Sequence, residues 1–128
     1  MMKNYPEYAK DVLTPGFISD VDLQYLYKQA VCLVFPSRYE GFGLPVLEAM
    51  AIGCPVVAYR NSSIPEVAGE AGLLVNDGDP LAPAIEKVLK DPKLRKDLIA
   101  KGRKQAAKFS WEKTAQRTLA VLREAAKK

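Results

Sequence analysis

Three short apolar runs, each closed in by turn residues and spaced by helical stretches, restrict this chain more than any other feature. "VCLVF" (31–35) holds five apolar residues without alternation and is stopped by Pro36. "CPVVAY" (54–59) follows a glycine, and "AGLLVN" (71–76) runs into Asp77-Gly78. Runs this short and this continuous suit strands covered on both faces. Strands that alternate with helices in sequence build an α/β domain around a parallel sheet. A fourth short strand is expected near Val12-Leu13 in "DVLTPGFIS", ended by Pro15-Gly16.

The intervening stretches carry helix signals. In "SDVDLQYLYKQA", Ser19 or Asp20 can cap, and Leu23, Leu26, Tyr27 and Ala30 follow the i, i+3, i+4, i+7 spacing of one buried stripe. Asp79-Pro80 reads as a cap with proline at the first helical position, ahead of an apolar face of Leu81, Ile85, Val88 and Leu89. Asp91-Pro92 repeats the device and opens a basic helix toward Lys108, with Leu94, Leu98 and Ile99 inward. Ser110 caps a last helix with Trp111, Ala115, Leu119 and Leu122 on one side. Without repeats or a low-complexity linker, residues 1–128 form one domain, a strand and helix core over 12–90 followed by a helical region over 91–128.

Composition narrows the function classes. The chain has 128 residues, 48% hydrophobic and 27% charged, the balance of a globular protein with a core rather than a disordered one. No apolar stretch approaches the ~20 residues of a membrane span, and no apolar segment follows the opening Met-Met-Lys-Asn, so a cytoplasmic location is expected. Cys32 and Cys54 lie inside apolar runs and read as reduced, packed thiols. The chain has no histidine, which excludes a histidine base or ligand from it. Residues 1–85 carry five basic and ten acidic side chains (net −5), and residues 86–128 carry fourteen and five (net +9). A basic end can serve nucleic acid, but here the lysines and arginines fall mostly on the outer sides of helices, and no groove-reading helix or aromatic platform accompanies them. Nucleic acid is therefore not an expected partner.

The chemistry concentrates in "SRYEGFGLPVLEAMAIGCPVVA" (37–58). Seven residues separate Glu40 from Glu48, and between them stand Gly41, Gly43 and Pro45. With a strand over 31–35 and a helix beginning around Leu44-Pro45, the loop Ser37–Gly43 sits at the carboxyl end of a parallel strand, where α/β sheets bind ligands. Glycines leave backbone N–H groups uncovered, and a helix N-terminus offers free donors and partial positive charge to an anion. Two carboxylates beside such donors suit a ligand with phosphates and several hydroxyls, such as a nucleotide sugar. The competing reading is plainer: the glycines form a turn, and both glutamates are surface charges.

"FPSRYEGFGLPVLEAMAIGCPVVAYRNSSIPEVAGEAGLLVNDGDP" resembles the donor-binding half of the group 1 glycosyltransferases, the retaining enzymes of GT-B fold. The similarity extends from "TPGFISDVDLQYLYKQA" to "FSWEKTAQRTLAVL", nearly the whole chain. It implies a partial Rossmann-like, three-layer α/β domain with about four short parallel strands and a helical C-terminus. It implies that Glu40 is the motif glutamate nearest the chemistry, contacting the donor hexose. Gly41, Phe42, Gly43 and Leu44 would contact sugar and diphosphate, and Glu48 would hold the ribose hydroxyls. The donor is a nucleotide diphosphate sugar, and the motifs call for no cofactor or metal.

The same resemblance implies what this stretch does not contain: an acceptor-binding domain, and the first part of the donor domain with its diphosphate-clamping Arg and Lys. Arg38 and Arg60 stand near the motif but do not match those positions. Weak binding and little or no activity are expected of the chain alone. Strand 31–35 would lie at an open sheet edge, so a second copy or a separate acceptor-domain chain is the expected protein partner. The alternatives to a transferase part are a non-catalytic α/β assembly module and one subunit of a split transferase.

Overall fold

The computed structural model describes residues 6–127. A 3-10 turn over Pro6–Asp11 leads through an irregular segment to α1 (Asp20–Gln29). Then β1 (Leu33–Phe35), α2 (Leu44–Ile52), β2 (Val56–Tyr59), α3 (Ile64–Ala68) and β3 (Gly72–Val75) alternate, and α4 (Ala82–Lys90), α5 (Pro92–Ala106) and α6 (Trp111–Ala125) complete the chain. The fold is α/β, as expected. All three strands are parallel in the order β1-β2-β3, with Leu33 opposite Val56 and Val56 opposite Gly72.

The continuous apolar runs follow from burial on both faces. Val56 and Ala58 of β2 point into a core with Val46, Ala49 and Met50 of α2, Ile64 and Val67 of α3, and Tyr27 of α1. Val57, between them in sequence, points the other way, to Val88 of α4 and Leu98 of α5. These are the three layers, and α5 reaches both cores, with Leu98 in one and Ala106 in the other.

α5 also closes the other helices. Helix ends leave unpaired carbonyls, which Arg or amide side chains can satisfy. Arg95 donates to the carbonyls of Val88 (2.7 Å) and Leu89 (2.8 Å) at the end of α4. Gln105 Nε2 donates to Glu66 (3.3 Å) and Val67 (3.1 Å) in α3, and Arg103 donates to Ile52 O (3.4 Å) at the end of α2. Part of the basic composition of α5 therefore holds the fold together.

Several expectations need correction. There is no strand at Val12-Leu13, and the described residues contain three strands rather than four. Leu13 is 89% exposed, and the N–H of Val12 bonds locally to Ala9 O, so this segment never meets the ladder that would make it a strand. β1 begins at Leu33, two residues later than expected. α4 is capped by Leu81 rather than Asp79, because Asp79 N–H closes a turn onto Asn76 O while Gly78 adopts φ 96°. In α1 only Tyr27 is buried, and α6 buries no residue at all, with Trp111 76% exposed. The caps at Ser19, Asp91 and Ser110 form as expected, each side chain accepting from helical N–H groups. β1 pairs only with β2 among the described residues and Val34 is 37% exposed, so the expected open edge is present.

Candidate functional site

The loop Ser37–Gly43 leaves the carboxyl end of β1 and turns into α2. Gly43 is the N-cap, buried in the left-handed region at φ 94°, ψ 48°. No side chain caps this helix, and Pro45 removes one N–H from its first turn. The first turn accepts through Gly43 O, which takes Val46 N–H (3.0 Å) and Leu47 N–H (3.3 Å). Among the described residues, no hydrogen-bond acceptor takes the N–H of Gly41, Phe42, Gly43 or Leu44. A row of four free backbone donors thus opens a nine-residue helix at the crest of the sheet. Such an end attracts anions through its donors and its dipole.

The candidate residues divide into two groups. Glu40, Gly41, Phe42, Gly43 and Leu44 are contiguous at this crest. Glu40 is half-buried, Gly41 is exposed, and Leu44 opens α2 with its side chain partly in solvent. Phe42 packs edge-on against Phe109, ring centres 5.8 Å apart, tying the loop to the segment between α5 and α6. Glu48 lies four residues beyond Leu44, ~6 Å along the helix axis, and is exposed on the side away from Val46 and Met50. Its charge is felt by Tyr27 of α1: burial first, then Glu48 and Cys54, raise the phenol above its ordinary value. Arg38 and Arg60 are both exposed, in the loops after β1 and β2.

A neighbouring loop holds Glu40 in place. Glu40 N–H donates to Ser62 Oγ (3.0 Å), Ser63 Oγ donates to Glu40 O (3.0 Å), and Asn61 Nδ2 donates to Ser37 O (3.3 Å). These three residues follow β2, so adjacent parallel strands deliver the two loops side by side. Asn61, Ser62 and Ser63 were not among the site residues expected from the sequence, where they stood only inside the stretch that carries the family resemblance. Ser63 does occupy the N-cap of α3 but makes no capping bond; its hydroxyl goes to Glu40 instead.

Two surface depressions lie elsewhere. One of about 440 Å³, lined by Gly69, Glu70, Lys101, Lys104, Gln105 and Lys108, sits where α3 leads into β3, at the opposite end of the sheet. A second, shallower one lies on α6 around Arg117 and Leu122. The cysteines behave as packed thiols: both are free, and Cys54 is pushed up to about 11 by burial and then by Cys32. No helix among the described residues is long and apolar enough to cross a membrane.

Comparison with known proteins agrees with this arrangement. The family model described as "Glycosyl transferases group 1" matches residues 6–105. The O-antigen chain mannosyltransferase B of Escherichia coli is 47% identical over 106 residues, which cover 81% of this chain and 28% of that protein. The MMP alpha-(1->4)-mannosyltransferase of Mycolicibacterium hassiacum is 40% identical over 120 residues, covering 89% of this chain and 29% of its own length. Sucrose-phosphate synthase from Thermosynechococcus elongatus superposes with a TM-score of 0.85 at 34% identity, over 97% of this chain and 32% of that one. The chain thus spans under a third of the length of each of these proteins.

Proposed function

Because the chain belongs to the group 1 glycosyl transferases, we propose that it is the donor-binding part of an enzyme that moves a hexose from a nucleotide diphosphate sugar to an acceptor, with retention. The observation that carries this reading is the uncapped start of α2, four free N–H groups beside Glu40 at the carboxyl end of β1. In this reading the backbone from Gly41 to Leu44 faces the diphosphate and the sugar. Glu48 accepts hydrogen bonds from the ribose hydroxyls, and Glu40 accepts from the hexose and stands nearest the bond that breaks. The sugar–phosphate bond breaks as the acceptor hydroxyl attacks from the same face, and the hydroxyl proton passes to the departing diphosphate. Donors fixed in advance around that leaving group lower the barrier. The reading calls for no cofactor beyond the donor itself.

Each helix-terminal interaction contributes only ~0.3–1 kcal/mol. Weak donor binding and little or no turnover therefore belong to the proposal for this stretch alone. The proposed protein partner is a second copy of the chain or a separate acceptor-domain polypeptide. The open edge of β1 and the uncovered α6 support it.

Titration with UDP-glucose and GDP-mannose, followed through the amide resonances of residues 41–48, tests the reading. Shifts confined to this stretch and abolished by Glu48→Ala support it. Silence at millimolar ligand, with association between chains retained, would favour a non-catalytic assembly module.

A further inference from the structure

Both peptide groups that flank the Cα of Glu40 are bonded to hydroxyls from another loop, its N–H to Ser62 Oγ and its C=O to Ser63 Oγ, each at 3.0 Å. Those partners lie 22 and 23 residues away in sequence, so nothing local requires the contact. Fixing both peptide planes fixes the two backbone dihedrals of Glu40 and with them the direction of its Cα–Cβ bond. The carboxylate itself makes no hydrogen bond or ion pair among the described residues. It projects from a fixed root with its acceptor atoms free.

Local preference is overruled at both hydroxyls. Ser62 is the one non-glycine residue with positive φ among the described residues, at 41°. Ser63 sits at a helix N-cap yet gives no capping bond. The backbone strain sits at Ser62, and both it and the neighbouring Ser63 commit their hydroxyls to Glu40 rather than to a local turn or cap. Asn61, the next residue back, extends the clamp by donating to Ser37 O at the start of the same loop.

We propose that Ser62 and Ser63 are positioning residues that aim the Glu40 carboxylate at the hexose of the donor. This rests on the reading of the crest as a nucleotide-sugar site. It adds that discrimination between a nucleotide sugar and the bare nucleotide is set from the loop after β2.

The test uses Ser62→Gly, which accepts the left-handed backbone but lacks the hydroxyl, along with Ser63→Ala, Ser63→Thr and Glu40→Ala in the full chain. Affinities for UDP-glucose and GDP-mannose are measured against those for UDP and GDP. Ser62→Gly and Ser63→Ala are expected to weaken sugar-nucleotide binding about fivefold, the scale of one net hydrogen bond, and to change nucleotide binding less than about twofold. Ser63→Thr, which keeps the donor, should restore the parent ratio. Adding Ser62→Gly to Glu40→Ala should cost nothing further, because the effect runs through Glu40. Equal weakening of both ligand classes, an unchanged ratio, or additive losses would overturn the positioning role while leaving the site intact. A parent chain that binds none of the four ligands would overturn the site reading, and the clamp's role with it.

Discussion

The Cδ1 methyl of Ile64 stands 2.7 Å from the place a Cβ on Gly43 would occupy. Ile64 is fully buried, and Gly43 holds φ 94°. Glycine is thus required twice at this position, by backbone conformation and by space. Gly43→Ala is expected to cost about 2–3 kcal/mol, combining left-handed strain with overpacking. Gly41 has nothing within 4 Å of its would-be Cβ, so Gly41→Ala should stay within about 0.5 kcal/mol. Urea denaturation of the two variants checks the contrast.

Arg95 and Gln105 each hold two carbonyls at the end of another helix. Gln105→Ala should lower stability by about 1 kcal/mol and Arg95→Ala by about 1–2 kcal/mol. Both bonds leave one nitrogen, Nη1, so Arg95→Lys, which keeps a charged donor on a shorter stem, should recover only part of the loss. Equilibrium unfolding gives the values, and full recovery by lysine would contradict the capping account.

Cys54 titrates at about 11 against an ordinary value of 9.0, because burial disfavours its thiolate. Its folded value lies above its unfolded one, so this contribution to stability is complete below about pH 9 and is lost as pH rises through about 11. Cys32 is shifted in the same direction by burial. At pH 8 a thiol reagent should modify Cys54 at the rate of unfolding. Prompt modification in the folded chain would contradict the packing of Cys54.

Tyr27 is raised by burial first and by Glu48 second. Glu48→Gln should therefore bring its titration part of the way back toward 10.0, without reaching it. Ultraviolet difference titration of parent and variant measures the shift. No change would mean that the carboxylate stands clear of α1 and its hydroxyl.

The open edge of β1 and the solvent-facing stripe of α6 lead to an expectation about assembly. Light scattering at micromolar concentration should show a species larger than one chain, or one chain that enlarges when an acceptor-domain polypeptide is added. Val34→Lys places a charge beside the open edge and should reduce self-association. A monomer indifferent to both would remove the assembly proposal.

The α/β class and parallel sheet were legible because covered strands leave continuous apolar runs. Prolines and glycines then marked where α2 and α5 begin. Val12-Leu13 misled for the opposite reason: an apolar pair makes a strand only if a neighbouring ladder exists, and composition carries no record of the neighbour. Leu26 and the stripe of α6 have helical spacing, yet periodicity reports a face and not what covers it. Glu40, Gly41, Gly43 and Glu48 stood out by spacing, whereas Ser62 and Ser63 did not. Their bonds depend on two loops meeting across adjacent strands, and a motif read along the chain contains no such information.

The caps supplied by α5 also bear on how the chain is made. Arg103 lies 51 residues after Ile52, and Gln105 lies 38 after Val67. A ribosome finishes α2 and α3 long before it delivers the side chains that close their ends. Until those side chains arrive, the ends of α2 and α3 lack these bonds, and a polypeptide cut short before residue 103 would never gain them.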